Sequence, residues 1–215
     1  MFNFLKKTYH RNLLDKMLKK NSGLITGNVL DVGSRNRRYD NLFNGTITAC
    51  DLISNEELGV ERQDLTCLTY KDGYFDSIIC IEVLEYLRLE NLKTAISEIK
   101  RVLKPNGTAV ITCPFYYKDH GDNLRLSKTY LNEILSKFGF REYVIHTIGN
   151  RHTAYFDAIR YPFLKQTANN KLKKILFSLY YLPRLLFKLI IIKLFGLENK
   201  KDDFYSGLFI ILKKK

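Results

Sequence analysis

Short apolar runs that alternate with helix-length amphipathic stretches constrain this chain more than any other feature. Residues 28–33 (NVLDVG), 46–51 (TITACD), 75–81 (FDSIICI) and 107–114 (GTAVITCP) are each the length of a strand and too short for a helix. The first closes on a glycine turn, the second on an acid and the last on a proline, with a turn at 104–107 (KPNG) ahead of it. Short runs that are mainly apolar, without strict alternation, suit strands covered on both faces, as in parallel sheets. Helical spacing fills the intervals. Leu92, Ala95, Ile96, Ile99, Val102 and Leu103 recur at three- and four-residue steps, with Asn91 placed to cap. Ser127 is placed to cap a second helix through Leu131, Ile134, Leu135 and Phe138, which Gly139 stops. Residues 2–20 carry Leu5, Tyr9, Leu13 and Met17 on one helical stripe, flanked by Leu14 and Leu18. Residues 141–148 and 204–212 read as two more strands. Strands separated by helices build βαβ units, so the expected class is α/β with a doubly wound, mostly parallel sheet.

A chain of 215 residues with 46% hydrophobic and 27% charged residues suits one globular core with an appendage. The expected division is an N-terminal amphipathic helix at 1–26, a core at 27–150, a basic, apolar helical insert at 151–203, and a last strand with a basic tail at 204–215. Cys50, Cys67, Cys80 and Cys113 form no CxxC pair, and three of them sit in or at the end of apolar runs. Buried, reduced thiols are expected rather than metal ligands or disulfides. No histidine–carboxylate cluster with metal-ligand spacing appears, so no metal site is expected. Residues 2–5 are too short for the apolar stretch of a secretion signal and Lys6-Lys7 interrupt it, which points to a cytoplasmic location.

In a doubly wound sheet, ligands bind at the carboxyl ends of the strands, where the strand order reverses. The first strand here runs into Asp31-Val32-Gly33-Ser34-Arg35-Asn36, and the second ends on Asp51. That separation is about the 20 residues at which an acid reaches the hydroxyls of a ribose. A carboxylate suits a diol because it accepts two hydrogen bonds at once. A dinucleotide fingerprint is absent, since it needs glycine where Arg35 and Arg38 stand.

The series VLDVGSRNRRYDNLF, CDL, QDLTCL, FDSIICIEVLEYL, EIKRVLKPNGTAVITCPF and HGDNLRLSKTYLNEILSKFGF resembles the successive motifs of class I S-adenosylmethionine-dependent methyltransferases, over residues 28–148 and in the right order. Pro114, His120, Asp122, Arg125 and Ser127 resemble a proline-ended strand, histidine and D-x-x-R-x-T/S element of the branch associated with polysaccharide and glycolipid biosynthesis. The resemblance implies a seven-stranded Rossmann-like sheet, with the insert before the last strand, and S-adenosylmethionine as cofactor. It implies that Asp31, Gly33, Ser34 and Arg35 form the first cofactor loop, near the amino acid end. It implies that Asp51 holds the ribose with Leu52 against the adenine, that Asp64 and Leu65 meet the adenine edge, and that Ile81 and Glu82 lie near the methionine end. Arg35 stands where the family carries a second glycine, so a strained left-handed backbone is expected there, with Asn36 absorbing part of it. Tyr86 stands at a frequent histidine position and is read as a packing residue. For a hydroxyl acceptor, His120 and Glu82 are the candidate bases.

Residues 171–197 (KLKKILFSLYYLPRLLFKLIIIKLFGL) mix large apolar side chains with cations, and the whole chain carries a net charge of +13. Pro183 is expected to break this stretch, and Arg184, Lys188 and Lys193 would each cost about 2.5–3.5 kcal/mol at mid-bilayer, so it does not read as a membrane span. Lys171, Lys174 and Ser178 share a helical face, while Lys193 lies opposite Arg184 and Lys188. Two readings stay open: a helix lying on the inner face of an anionic membrane, or a lid packed on the sheet or on a second subunit of a homodimer. The expected activity is metal-independent methylation of a sugar hydroxyl in a surface glycan or its lipid- or nucleotide-linked precursor. An RNA methyltransferase, suggested by the charge, is disfavoured because the cations sit among apolar residues and no nucleic-acid module is present. A non-catalytic scaffold of the same fold is the remaining alternative, prompted by Arg35.

Overall fold

The computed structural model describes residues 7–116, 120–166, 171–200 and 203–215, with the backbone alone considered at 160–166 and 171–178. The chain forms two compact units. Among the described residues, the larger holds 16–115, 120–146 and 208–215, and the smaller holds 7–15, 116, 147–166, 171–200 and 203–207.

Seven strands make one sheet in the order β3-β2-β1-β4-β5-β7-β6. They are β1 (Thr26–Val32), β2 (Asn44–Asp51), β3 (Val60–Arg62), β4 (Phe75–Ile81), β5 (Leu103–Pro114), β6 (Glu142–Ile148) and β7 (Gly207–Lys213). The pairs β1–β2, β1–β4, β2–β3 and β4–β5 are parallel. β7 runs against its neighbours: the Arg141 N–H donates to Lys213 O, and Lys214 N–H to Gly107 O, so its end meets the starts of β6 and β5. Val29, Leu30, Val32, Ile78, Ile79 and Cys80 are all buried, which is why the two central strands read as mainly apolar runs. The order reverses between β1 and β4, and the carboxyl ends of both open on the same edge.

Helix α1 (Tyr9–Asn21) begins the described chain; the expected contribution of Leu5 and its neighbours lies outside the described residues. Helix α2 (Leu89–Val102) buries Leu92, Ala95, Ile96, Ile99 and Val102, the predicted stripe. Its start differs: Arg88 occupies the cap, and Asn91 lies inside the first turn with its N–H on Arg88 O. Helix α3 (Lys128–Lys137) starts as expected, the Ser127 hydroxyl accepting the Tyr130 N–H at 3.2 Å. The turn at 104–107 is not outside β5 but within it. Leu103 pairs with Phe75 and Thr108 with Ser77, so four residues bulge between neighbouring pairs, with Asn106 at φ 62°. β3 escaped the sequence reading because only Val60 of its three residues is buried.

In the smaller unit, α4 (Arg151–Gln166) and α5 (Lys171–Leu194) form the helical insert ahead of β7. α5 continues through Pro183, where a break was expected. Lys171, Lys174 and Ser178 fall where only backbone is described. Tyr9, Phe156, Leu185 and Ile192 make the core of this unit, flanked by Leu13, Ile159 and Leu189. Asn150 ties its ends: its Oδ1 accepts the His152 N–H and its Nδ2 donates to Leu197 O (2.7 Å) and Lys200 O (3.0 Å).

Candidate active site

The loop after β1 is shaped by two left-handed residues. Gly33 has φ 74°, and a Cβ there would stand 2.3 Å from Val83 Cγ2, so conformation and space both demand glycine. The Gly33 and Ser34 N–H groups donate to Cys50 O at 2.7 and 3.0 Å, holding the loop against the end of β2. The next left-handed residue is Arg37 (φ 47°), not Arg35 or Asn36. Arg37 is secured by its ion pair to Asp40 (2.6 Å) and by donation to Leu58 O (3.1 Å) and Ile47 O (3.3 Å). Arg35 is exposed, and its carbonyl accepts Asn55 Nδ2. The strain expected at Arg35 is therefore carried two residues later, where a side chain can be pinned by its own contacts.

Asp31 lies buried under this loop. Burial pushes its carboxyl up to about 7, against the opposing hydrogen bond from Ser34, and Oδ2 is a buried atom without a hydrogen-bond partner. Beyond the strand ends, Gly33, Asp51, Leu52, Asp64, Leu65 and Glu82 line one cleft of about 290 Å³, together with Ile53, Gln63, Val83, Tyr86 and Leu87. Asp51 Oδ1 accepts the Ile53 N–H at 3.0 Å. Asp64 Oδ1 accepts the Thr66 N–H and hydroxyl at 2.8 and 2.7 Å, which fixes each acid in a turn. Leu52 and Ile53 are exposed at 63% and 53%, large apolar surfaces standing uncovered beside two acids. Glu82 has φ 55°, held by donation of its N–H to Thr112 O at 3.0 Å. A left-handed glutamate at a strand end is the kind of strain that clusters at working sites.

Ile81 ends β4 opposite Thr112 and does not line the cleft; neither do Asp31, Ser34, Arg35 or His120. His120 belongs to an adjoining network. Its Nδ1 stands 3.0 Å from Asp122 Oδ1, and its ring meets the cleft-lining Tyr86 edge-on at 5.6 Å. Arg125 pairs with both oxygens of Asp122 and donates to Phe115 O. Burial alone would push the Asp122 carboxyl up; Arg125 and the His120 N–H outweigh it and hold it below the usual range. The Asn123 and Leu124 N–H groups both donate to Glu85 O, anchoring the segment beside Tyr86. Tyr86, read from sequence as a packing residue, is half exposed and borders the cleft. Ile53, Gln63, Val83 and Leu87 were missed. Their signal was positional: each follows a parallel strand end by one to six residues.

Cys50, Cys80 and Cys113 are buried and unbridged, and burial pushes all three thiols up, Cys50 to about 12. Among the described residues no group of His, Cys, Asp and Glu is arranged to hold a metal ion. The cleft does fit a nucleoside cofactor. It offers acids for ribose and base edges and apolar surface for a flat ring, and under the adjoining loop, outside the cleft lining, Asp31 Oδ2 is a buried oxygen without a hydrogen-bond partner.

Residues 30–111 match the family described as methyltransferase domain. No curated protein matches the sequence. Solved structures share the fold across nearly the whole chain. A SAM dependent methyltransferase from Archaeoglobus fulgidus has 18% identity and a TM-score of 0.62, covering 95% of this chain and 94% of that one. The [4+2]-cyclase SpnF has 20% identity and a TM-score of 0.58, covering 94% and 80%. The Burkholderia thailandensis 1,6-didemethyltoxoflavin-N1-methyltransferase, solved with its namesake ligand and S-adenosylhomocysteine, has 15% identity and a TM-score of 0.58, covering 96% and 78%. Residues 30–111 thus match a methyltransferase domain, and the chain has the seven-stranded Rossmann-like fold of these structures, among them an S-adenosylmethionine-dependent methyltransferase.

Proposed function

We propose that the chain methylates a sugar hydroxyl of a surface glycan or of its lipid- or nucleotide-linked precursor, without a metal. One observation carries the choice of a hydroxyl: the His120–Asp122–Arg125 chain beside the cleft-lining Tyr86. An amine attacks an activated methyl unaided, whereas a hydroxyl benefits from a base. With Nδ1–H donated to Asp122, the basic lone pair of His120 falls on Nε2, and Asp122, held charged by Arg125, keeps the ring in that orientation. Glu82, at the cleft wall, is the second candidate base. The sugar class is supported by the likeness of Pro114, His120, Asp122, Arg125 and Ser127 to the glycan-modifying branch.

The bound cofactor supplies a methyl group already activated by its sulfonium. Asp51 accepts the ribose hydroxyls, Leu52 packs on the adenine, Asp64 takes the adenine amino group and Leu65 lies beside it. Asp31 faces the ammonium from beneath the loop of Gly33, Ser34 and Arg35, Glu82 borders the methionine end, and Ile81 positions Glu82 from the last place in β4, outside the cleft lining. Holding nucleophile and methyl in line supplies most of the rate enhancement in such a displacement. The scaffold alternative loses its motive, since Arg35 is not left-handed.

Calorimetry with S-adenosylhomocysteine tests the cofactor roles. Asp51→Ala weakens binding by about 1.5–3 kcal/mol, the range for hydrogen bonds to a charged group, and Asp64→Ala weakens it less. Failure of the unaltered chain to bind at millimolar concentration overturns the catalytic reading. Transfer of labelled methyl to nucleotide sugars, lipid-linked glycans and RNA sorts the acceptors. His120→Ala lowers kcat by about a hundredfold or more while S-adenosylhomocysteine affinity holds. Methylation of RNA alone would replace the glycan reading.

A further inference from the structure

Helix α5 is apolar on two sides, and the core of its unit uses only one. Leu185 and Ile192 are fully buried against Tyr9 and Phe156, with Leu189 packed beside them. On the other side Leu179, Phe187, Ile190 and Leu194 are 68%, 66%, 58% and 73% exposed, and Pro183 is exposed between the first two. Positions 179, 183, 187, 190 and 194 succeed one another at three- and four-residue steps, so they form one continuous stripe. A helix at the surface of a globule carries polar residues there, and an uncovered stripe of this kind marks an interaction.

The charges around the stripe decide what covers it. Arg184 lies on one rim, its guanidinium 3.7 Å from the centre of the Tyr180 ring, and Lys188 follows one turn on, 5.1 Å from the Tyr155 ring. On the far rim Lys193 is paired with Glu198 at 2.8 Å. Residues 171–194 contain no Asp or Glu. A second copy applied through this stripe would bring Arg184 and Lys188 against cations, with no acid in the helix to answer them. The partner must accept large apolar groups and also supply negative charge. A layer of anionic lipid does both, admitting apolar side chains below the headgroups while long cationic ones reach back to the phosphates.

We propose that α5 lies in the interface of an anionic membrane, with Leu179, Phe187, Ile190 and Leu194 among the acyl chains and Arg184 and Lys188 at the level of the phosphates. The helix lies on the layer rather than across it: among the described residues, no helix is long and apolar enough to cross a membrane. This docking does not depend on the methyl-transfer reading.

Cosedimentation of the full chain with vesicles tests it, using phosphatidylcholine alone and phosphatidylcholine mixed with phosphatidylglycerol. The chain pellets with the mixed vesicles and much less with the neutral ones. Salt weakens binding only in part, because the apolar contribution is not screened. Combining Phe187→Ser, Ile190→Ser and Leu194→Ser lowers the partition coefficient at least about tenfold. Combining Arg184→Gln and Lys188→Gln lowers it roughly tenfold on mixed vesicles and little on neutral ones. Far-UV dichroism and S-adenosylhomocysteine calorimetry, unchanged in both variants, show that they fold. Equal binding to both vesicle types, full binding by the serine variant, or no binding to either type overturns the proposal. No binding together with a dimer that the serine changes dissolve reassigns the stripe to a second copy. Loss of cofactor binding by the unaltered chain would count against the methyltransferase reading and leave this one standing.

Discussion

Arg37 holds a backbone conformation that glycine adopts freely and arginine does not, and its three side-chain partners are what keep it there. The two contributions separate by substitution. Arg37→Ala loses the contacts and retains the strain, so unfolding free energy falls by about 2 kcal/mol. Arg37→Gly loses the same contacts but relieves about 1 kcal/mol of left-handed strain, and denaturant titration finds it the more stable of the two. Arg35→Gly has no such strain to relieve. Asp31 gives a second test, through pH. Its carboxyl titrates near 7 in the folded chain because it is buried, against an ordinary value of 3.8. Between those values the folded state binds more protons than the unfolded one. Stability from this group is therefore fully present below about pH 4, falls as pH rises by roughly 4 kcal/mol in all, and levels off above pH 7. Asp31→Asn lacks that dependence, so its stability relative to the parent rises between pH 5 and pH 8 in urea titrations. A constant difference at both pH values would show that Asp31 ionises normally. Of these residues, the acids at strand ends were legible because spacing along the chain maps directly onto the ends of parallel strands. That Arg37 rather than Arg35 carries the turn was not, because it depends on partners at Ile47 and Leu58 brought in by tertiary folding.

Helices and strands differ in how much of their signal is local. The Ser127 cap of α3 depends on residues within one turn, and reading it needed nothing else; Ser127→Ala costs about 1 kcal/mol by chemical denaturation. Asn91 carried a similar signal but lost the cap to Arg88, because the chain enters α2 two residues before it. β1, β2 and β4 were legible as short, mainly apolar runs whose later residues are buried. β3 was not, since its pairing with β2 rests on backbone that leaves no pattern in three residues. The course of α5 through Pro183 shows tertiary packing overriding a local preference: Leu185 and Ile192, both beyond the proline, are buried in the same core as Tyr9 and Phe156. The proline still removes one hydrogen bond from the helix, at a cost of up to about 3 kcal/mol. Pro183→Ala slows amide exchange across 179–187. Unchanged exchange would mean that packing alone sets the stability of the helix.

At the scale of the whole chain, the two units carry different chemistry. The cleft and the His120 network lie in the larger, and the exposed stripe of α5 in the smaller. S-adenosylhomocysteine accordingly slows amide exchange at the carboxyl ends of β1, β2 and β4 and leaves residues 179–194 unaffected. Protection reaching α5 would show the smaller unit taking part in cofactor binding.

The place of β7 in the sheet also bears on time. It is the seventh strand in sequence but lies between the fifth and the sixth. On the ribosome, β5 and β6 emerge with a gap between them that only residues 207–213 can fill. Until those residues arrive, both strands expose unpaired edges, and edges of this kind recruit other chains. The insert, with its uncovered apolar stripe, is made entirely within that interval. The moment of greatest aggregation risk for this protein thus falls between the synthesis of β6 and that of β7, when the residues lining the cleft are already made and one strand is still missing.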